Sequence, residues 1–202
     1  MESWTSESLR AFEQKIADLF NSGEIRSPVH LSDGTEDALL QIFDEVKADD
    51  WIFCSWRSHY QCLLKGVSPQ EVESAIVAGR SIALSFPRHN VYSSAIVGGQ
   101  LPIAVGVAIS LKRSHLSGHV WCFIGDMTSE TGIAQTAIRY SHMHELPITF
   151  VIEDNQISVL TDTRKVWNSK TLRFEENQIP IVRSYKYKSK YPHAGAGKRV
   201  QF

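Results

Sequence analysis

The stretch that constrains this chain most runs from His119 to Asn155. "HVWCFIGD" is an apolar run without polar alternation. "TGIAQTAIRYSHMHE" repeats apolar residues at helical spacing, and "PITFVIEDN" is a second apolar run. A strand covered on both faces reads as a continuous apolar run, and parallel neighbours need a crossover, usually a helix. The sequence therefore predicts a strand over 119–124, a helix over 132–144 and a strand over 148–152. The crossover should be right-handed and the two strands parallel. The fold class that follows is α/β, a parallel sheet flanked by helices.

The rest of the chain fits that class. Leu9, Phe12, Ile16 and Leu19 or Phe20 recur at helical spacing before Gly23, which predicts a helix over 5–21. A second helix, about 35–48, carries Ala38, Leu39, Ile42, Phe43 and Val46. "WIFCSW", 51–56, reads as a buried strand. "SPQE", 68–71, puts Ser at a cap, Pro at the first helical position and Glu at the third, and opens a helix ending near Gly79. "GGQLPIAVGVAISLK" reads as an interior helix, with Ala104, Gly106 and Ala108 letting another backbone approach. Residues 80–98 and 158–180 read as loops, and "IVRSYKYK" as a last strand or edge segment. The expected organisation is one domain over 1–202, with an N-terminal helix in 1–23 and an irregular segment over 166–202.

Composition excludes some functions. Hydrophobic residues make up 43%, charged residues 21%, and net charge is −1. Nothing there favours nucleic acid or an anionic membrane. No stretch approaches the roughly 20 apolar residues of a membrane span, and "MESWTSESLRAFEQK" lacks the basic and apolar blocks of a secretory signal. Cys54, Cys62 and Cys122 are odd in number and lack metal spacing, which suits a reducing compartment; the expected location is cytoplasmic. The basic, tyrosine-rich end "VRSYKYKSKYPHAGAGKRVQF" is either a solvated tail or a phosphate-facing segment.

Asp126 follows the first strand of the crossover unit and Asn155 the second. If the strands are neighbours, both side chains reach the carboxyl edge of the sheet, where open α/β sheets bind ligands. A carboxylate, an amide oxygen and loop carbonyls form a hard oxygen set that suits magnesium, which completes its shell with phosphate. Backbone amides near Thr128 and Ser129 would receive that phosphate. On spacing alone a second reading stands beside this one: Asp126 caps a helix and Asn155 makes a turn.

"GDM", then 26 residues, then "DN" resembles the thiamine diphosphate motif, Gly-Asp-Gly followed after a similar gap by Asn-Asn. "HLSDGTEDA", "WRSHYQCLLKGVSPQEV" and "AIVGGQLPIAVGVAISLK" resemble, in the same order, segments of the alpha subunits of 2-oxo acid dehydrogenases of the pyruvate, branched-chain and acetoin type. The four motifs cover roughly residues 24 to 165. The chain is similar to a shortened form of such a subunit. Met127 stands where the motif has its last glycine, and Asp154 where it has its first asparagine.

The resemblance implies a thiamine diphosphate-binding fold, specifically its diphosphate-binding domain, with thiamine diphosphate and magnesium as cofactors. It implies Asp126, Asn155 and the carbonyl of Ile157 as magnesium ligands. Trp56 and Arg57 would approach the diphosphate, with Met127 and Thr128 offering backbone amides beside it. The backbone at Ala95 and Val97 would face the aminopyrimidine ring. His30 and His59 would stand near the substrate channel, and His193 and Lys198 echo a phosphate loop. It further implies a beta-type partner carrying the pyrimidine-binding domain and a catalytic glutamate, in an assembly of two alpha and two beta chains. The expected function is decarboxylation of a small 2-oxo acid with acyl transfer. The alternatives are a carboligase or transketolase-like subunit acting on a sugar or aldehyde, and a non-catalytic partner-binding subunit.

Overall fold

Thr5 and Ser8 satisfy each other's backbone amides and open α1, Ser6–Asn21. This is a capping box, which fixes the start of an otherwise marginal helix. The computed structural model describes residues 4–176, 178–194 and 200–202, and Lys198 lies outside them. Helix α2, Glu36–Phe43, is shorter than the sequence predicts, because Asp50 draws the Lys47 amide into a turn at 2.9 Å. Helix α3, His59–Leu64, was not anticipated. Ser68 caps α4, Pro69–Ala75, as expected; its last turn widens over 76–80 and ends at Gly79, φ 85°.

The sheet contains β1 (Trp51–Cys54), β2 (Ser85–Phe86), β3 (Val91–Ser93), β4 (Val120–Gly125), β5 (Ile148–Asp154) and β8 (Val182–Lys186). Its order is β2-β3-β1-β4-β5-β8, parallel throughout except for β2. The crossover unit is as expected: β4 and β5 pair in parallel from Val120↔Ile148 to Gly125↔Glu153, joined through α7, Gly132–Met143. Two expectations are corrected. Residues 80–98 are not simply loop, since β3 pairs with β1 inside the sheet. The 166–202 segment is not irregular throughout: within it "IVRSYKYK" forms the edge strand its sequence suggests, β8, which extends the sheet from β5. Strands of two or three residues are too short for a periodic signal, and neighbouring strands hold them.

Successive side chains point to opposite faces, and both faces are covered. Ile52, Cys54, Trp121, Phe123 and Val151 pack under α1 to α4, whereas Phe53, Cys122, Ile124, Phe150 and Ile152 pack under α7 and α5, Gln100–Arg113. That explains the continuous apolar runs. Cys54, Cys62 and Cys122 are free and fully buried. Helix α5 is not interior, as its sequence suggested. Leu101, Ala104 and Ala108 are buried, but Gly106 is exposed, with nothing within 4 Å of where a Cβ would stand.

Among the described residues, no helix is long and apolar enough to cross a membrane. Residues 157–176 also contain more order than the sequence predicts. A hairpin of β6 (Ile157–Ser158) and β7 (Thr161–Asp162) leads into α8, Thr163–Val166, and then α9, Arg173–Glu176.

Candidate functional site

Because β1, β4 and β5 run parallel, the segments that follow them leave the same edge of the sheet. They form a cleft lined by Trp56 and Arg57 after β1, Asp126 to Thr128 after β4, and Asn155 and Ile157 after β5. Asp126 begins α6, Asp126–Ser129, but no side chain caps that turn. Asp126 is 2% exposed and its Oδ2 has no hydrogen-bond partner. The capping reading of Asp126 therefore fails. Burial raises its carboxyl to about 6, Asp154's charge adds to this, and nearby Thr163 and backbone amides oppose it. Asn155 does make a turn, its Oδ1 accepting from the Ile157 amide at 3.1 Å. An amide oxygen has a second lone pair, so this bond leaves one site free.

Three further buried atoms lack partners around the cleft: Trp56 Nε1, Arg57 Nε and His30 Nδ1. An unpartnered buried polar group costs about 1–3 kcal/mol. Here an acceptor and two donors lie unpartnered at one strand edge, the combination a cation–anion pair would satisfy. The donor set thus fits a magnesium-bridged diphosphate. Among the described residues no cluster of three His, Cys, Asp or Glu side chains forms a metal centre. A set of one carboxylate, one amide and one carbonyl is not of that kind.

His30 packs against the rings of Trp56, at 5.9 Å, and His193, at 4.4 Å. Burial, with Arg57 next, lowers the His30 pKa to about 3, so the ring is neutral near pH 7. The C-terminal segment thus brings His193 to the side of the site, where burial and Arg57 lower its pKa too.

His59 is a correction. It is fully buried, with Nδ1 on the Glu13 carboxylate at 3.0 and 3.1 Å and Nε2 on Ser81 Oγ at 2.9 Å. Both ring nitrogens are engaged in the core, so it has no access to a substrate channel. Ala95 and Val97 lie in an exposed loop after β3 and do not line the cleft; Val97 is 52% exposed, not a core residue. Gly98 ends that loop at φ +72°, where an added Cβ would stand 2.8 Å from Ile133 Cγ2. Met127 adopts a right-handed helical turn, so the replacement of glycine carries no left-handed strain there.

Sequence reasoning missed Glu153 and Tyr187, which also line the cleft. Glu153 accepts from Tyr185 Oη at 2.6 Å and from Gln61 Nε2 at 3.1 Å. Burial lifts its pKa to about 7, although Tyr185, Arg57 and Gln61 act against the rise. A carboxylate ending an apolar strand run was the available signal.

The family model of the dehydrogenase E1 component matches residues 5–184. The chain belongs to the dehydrogenase E1 component family. Its curated relatives include the pyruvate dehydrogenase E1 component subunit alpha of Rickettsia bellii, 30% identical over 78% of this chain and 51% of the relative. The chloroplastic subunit alpha-3 of Arabidopsis thaliana is 27% identical over 72% of this chain and 38% of its own. The mitochondrial subunit of Dictyostelium discoideum is 24% identical over 77% and 44%. The chain thus spans about half the length, or less, of these E1 relatives.

Proposed function

We propose that this chain is the alpha-type half of a two-chain thiamine diphosphate enzyme acting on a 2-oxo acid. The observation that carries the reading is the partnerless Asp126 Oδ2 in the same cleft as the partnerless Trp56 and Arg57 donors. Asp126, the Asn155 amide oxygen and the Ile157 carbonyl would hold magnesium. Arg57, with its fixed charge, and the Trp56 indole N–H would orient the diphosphate. Thiamine diphosphate, when bound, supplies an electron sink for the carbanion left by decarboxylation. Neutral His30 offers a hydrogen-bonding ring without adding charge, and the Arg57 charge favours the ionised form of Glu153 against its burial.

The reading includes a beta-type partner that completes the site in a two-alpha, two-beta assembly, in the cytoplasm. Exposed Ile96 (73%) and Ile133 (44%) near Gly98, with Ile103 (44%) on α5, support such an interface. Coexpression with a beta-type chain, followed by calorimetric titration of thiamine diphosphate with magnesium, tests the proposal. Saturable binding that is lost in Asp126→Ala is expected. No binding, or binding indifferent to Asp126→Ala, would sink it.

A further inference from the structure

Asp154 is the last residue of β5 and completely buried, immediately before Asn155. Its Oδ1 accepts from the Gln156 amide at 2.9 Å, inside the turn that carries Asn155 and Ile157. Arg164, from α8, grips both carboxylate oxygens, at 3.3 Å on Oδ1 and 2.9 Å on Oδ2. Arg164 also meets Glu175 at 2.8 Å, and Glu175 meets Lys186 of β8 at 2.9 Å. Two carboxylates and two cations thus form a charge-balanced chain directly behind the cleft.

A buried carboxylate beside a diphosphate site is a liability. It repels the anion and is costly to bury unless paired. Asp154 reaches the cleft through the chain itself, since its two sequence neighbours, Glu153 and Asn155, both line it. Arginine suits the pairing, because its planar fork matches a carboxylate in two bonds and stays charged.

We propose that Arg164 is a positioning residue of the magnesium–diphosphate site, acting through Asp154: it cancels that buried charge so that the cleft accepts an anion. This inference rests on the diphosphate reading above and adds to it a residue outside the cleft wall.

The test titrates inorganic diphosphate with magnesium into the full chain and its Arg164→Gln, Asp154→Asn and doubly substituted variants. Arg164→Gln should weaken diphosphate binding by about tenfold or more, the scale of one uncompensated charge in partly screened surroundings. The same variant should bind manganese alone at least as well as wild type, a split that general misfolding does not produce. Asp154→Asn keeps the shape of the side chain and should bind diphosphate no more weakly than wild type. The double variant should recover to within about threefold of wild type. Wild-type binding with Arg164→Gln unchanged, or with Asp154→Asn weaker than wild type, overturns the role of Arg164 alone. Absence of diphosphate binding by the wild type overturns the diphosphate reading, and this inference with it.

Discussion

The indole N–H of Trp167 points at the sulfur of Met127, 3.2 Å away. The contact ties the segment after α8 to the turn that begins at Asp126. A thioether is a weak acceptor, and Met127 is not strained, so glycine should bring no relief of strain. Met127→Gly is expected to destabilise the chain by about 1 kcal/mol, the backbone cost of glycine in a helical turn. Thermal unfolding measures it, and Trp167→Phe separates loss of the contact from the backbone term.

His59→Ala should cost about 3 kcal/mol or more, since it leaves the Glu13 carboxylate buried without its histidine. Urea denaturation reads this loss. His30→Ala should cost less. A small loss for His59→Ala would mean that the Glu13–His59–Ser81 chain is not a core element.

The pH dependence at His30 has a definite sign. Its folded pKa, about 3, lies below the usual 6.5 because burial and the neighbouring Arg57, His193 and His59 all disfavour the charged ring. The unfolded chain therefore binds this proton first, and the contribution to stability falls as pH drops from 6.5 toward 3. Relative to wild type, His30→Gln should gain on the order of 2 kcal/mol between pH 7 and pH 5. Denaturation midpoints at the two pH values check it, and an unchanged difference would count against a neutral, buried His30.

Gly98→Ala places a side chain at φ +72° and against Ile133. A left-handed alanine costs about 1–2 kcal/mol, so a loss of at least that size is expected in chemical denaturation. Adding Ile133→Ala should recover only the steric part. Complete recovery would show that backbone strain contributes nothing.

Much of this molecule was legible where a physical signal extends over many residues. The β4–α7–β5 unit shows in long apolar runs and a helical period, and with it the placement of Asp126 and Asn155 at one edge. Strands β2 and β3 were not legible, because two or three residues hold no period and their pairing partners are distant in sequence. His59 was misread for a related reason: Glu13 and Ser81, which occupy it, come from separate parts of the chain. Glu153 was passed over as the end of an apolar run, and its partners, Tyr185 and Gln61, become visible only once β8 and α3 are in position. The substitution of Asp154 for asparagine looked minor until Arg164 was found holding it.

The three cysteines give the chain an internal clock. Cys54 and Cys122 sit in the adjacent central strands β1 and β4, and Cys62 sits in α3, all without solvent contact and with burial pushing every thiol pKa up. Only the thiolate reacts appreciably, so a disulfide reagent cannot label the folded chain at these positions. Labelling at Cys54 or Cys122 then counts openings of the middle of the sheet, and labelling at Cys62 counts detachment of α3. Mass-resolved labelling over time would report the lifetime of each layer without any introduced probe.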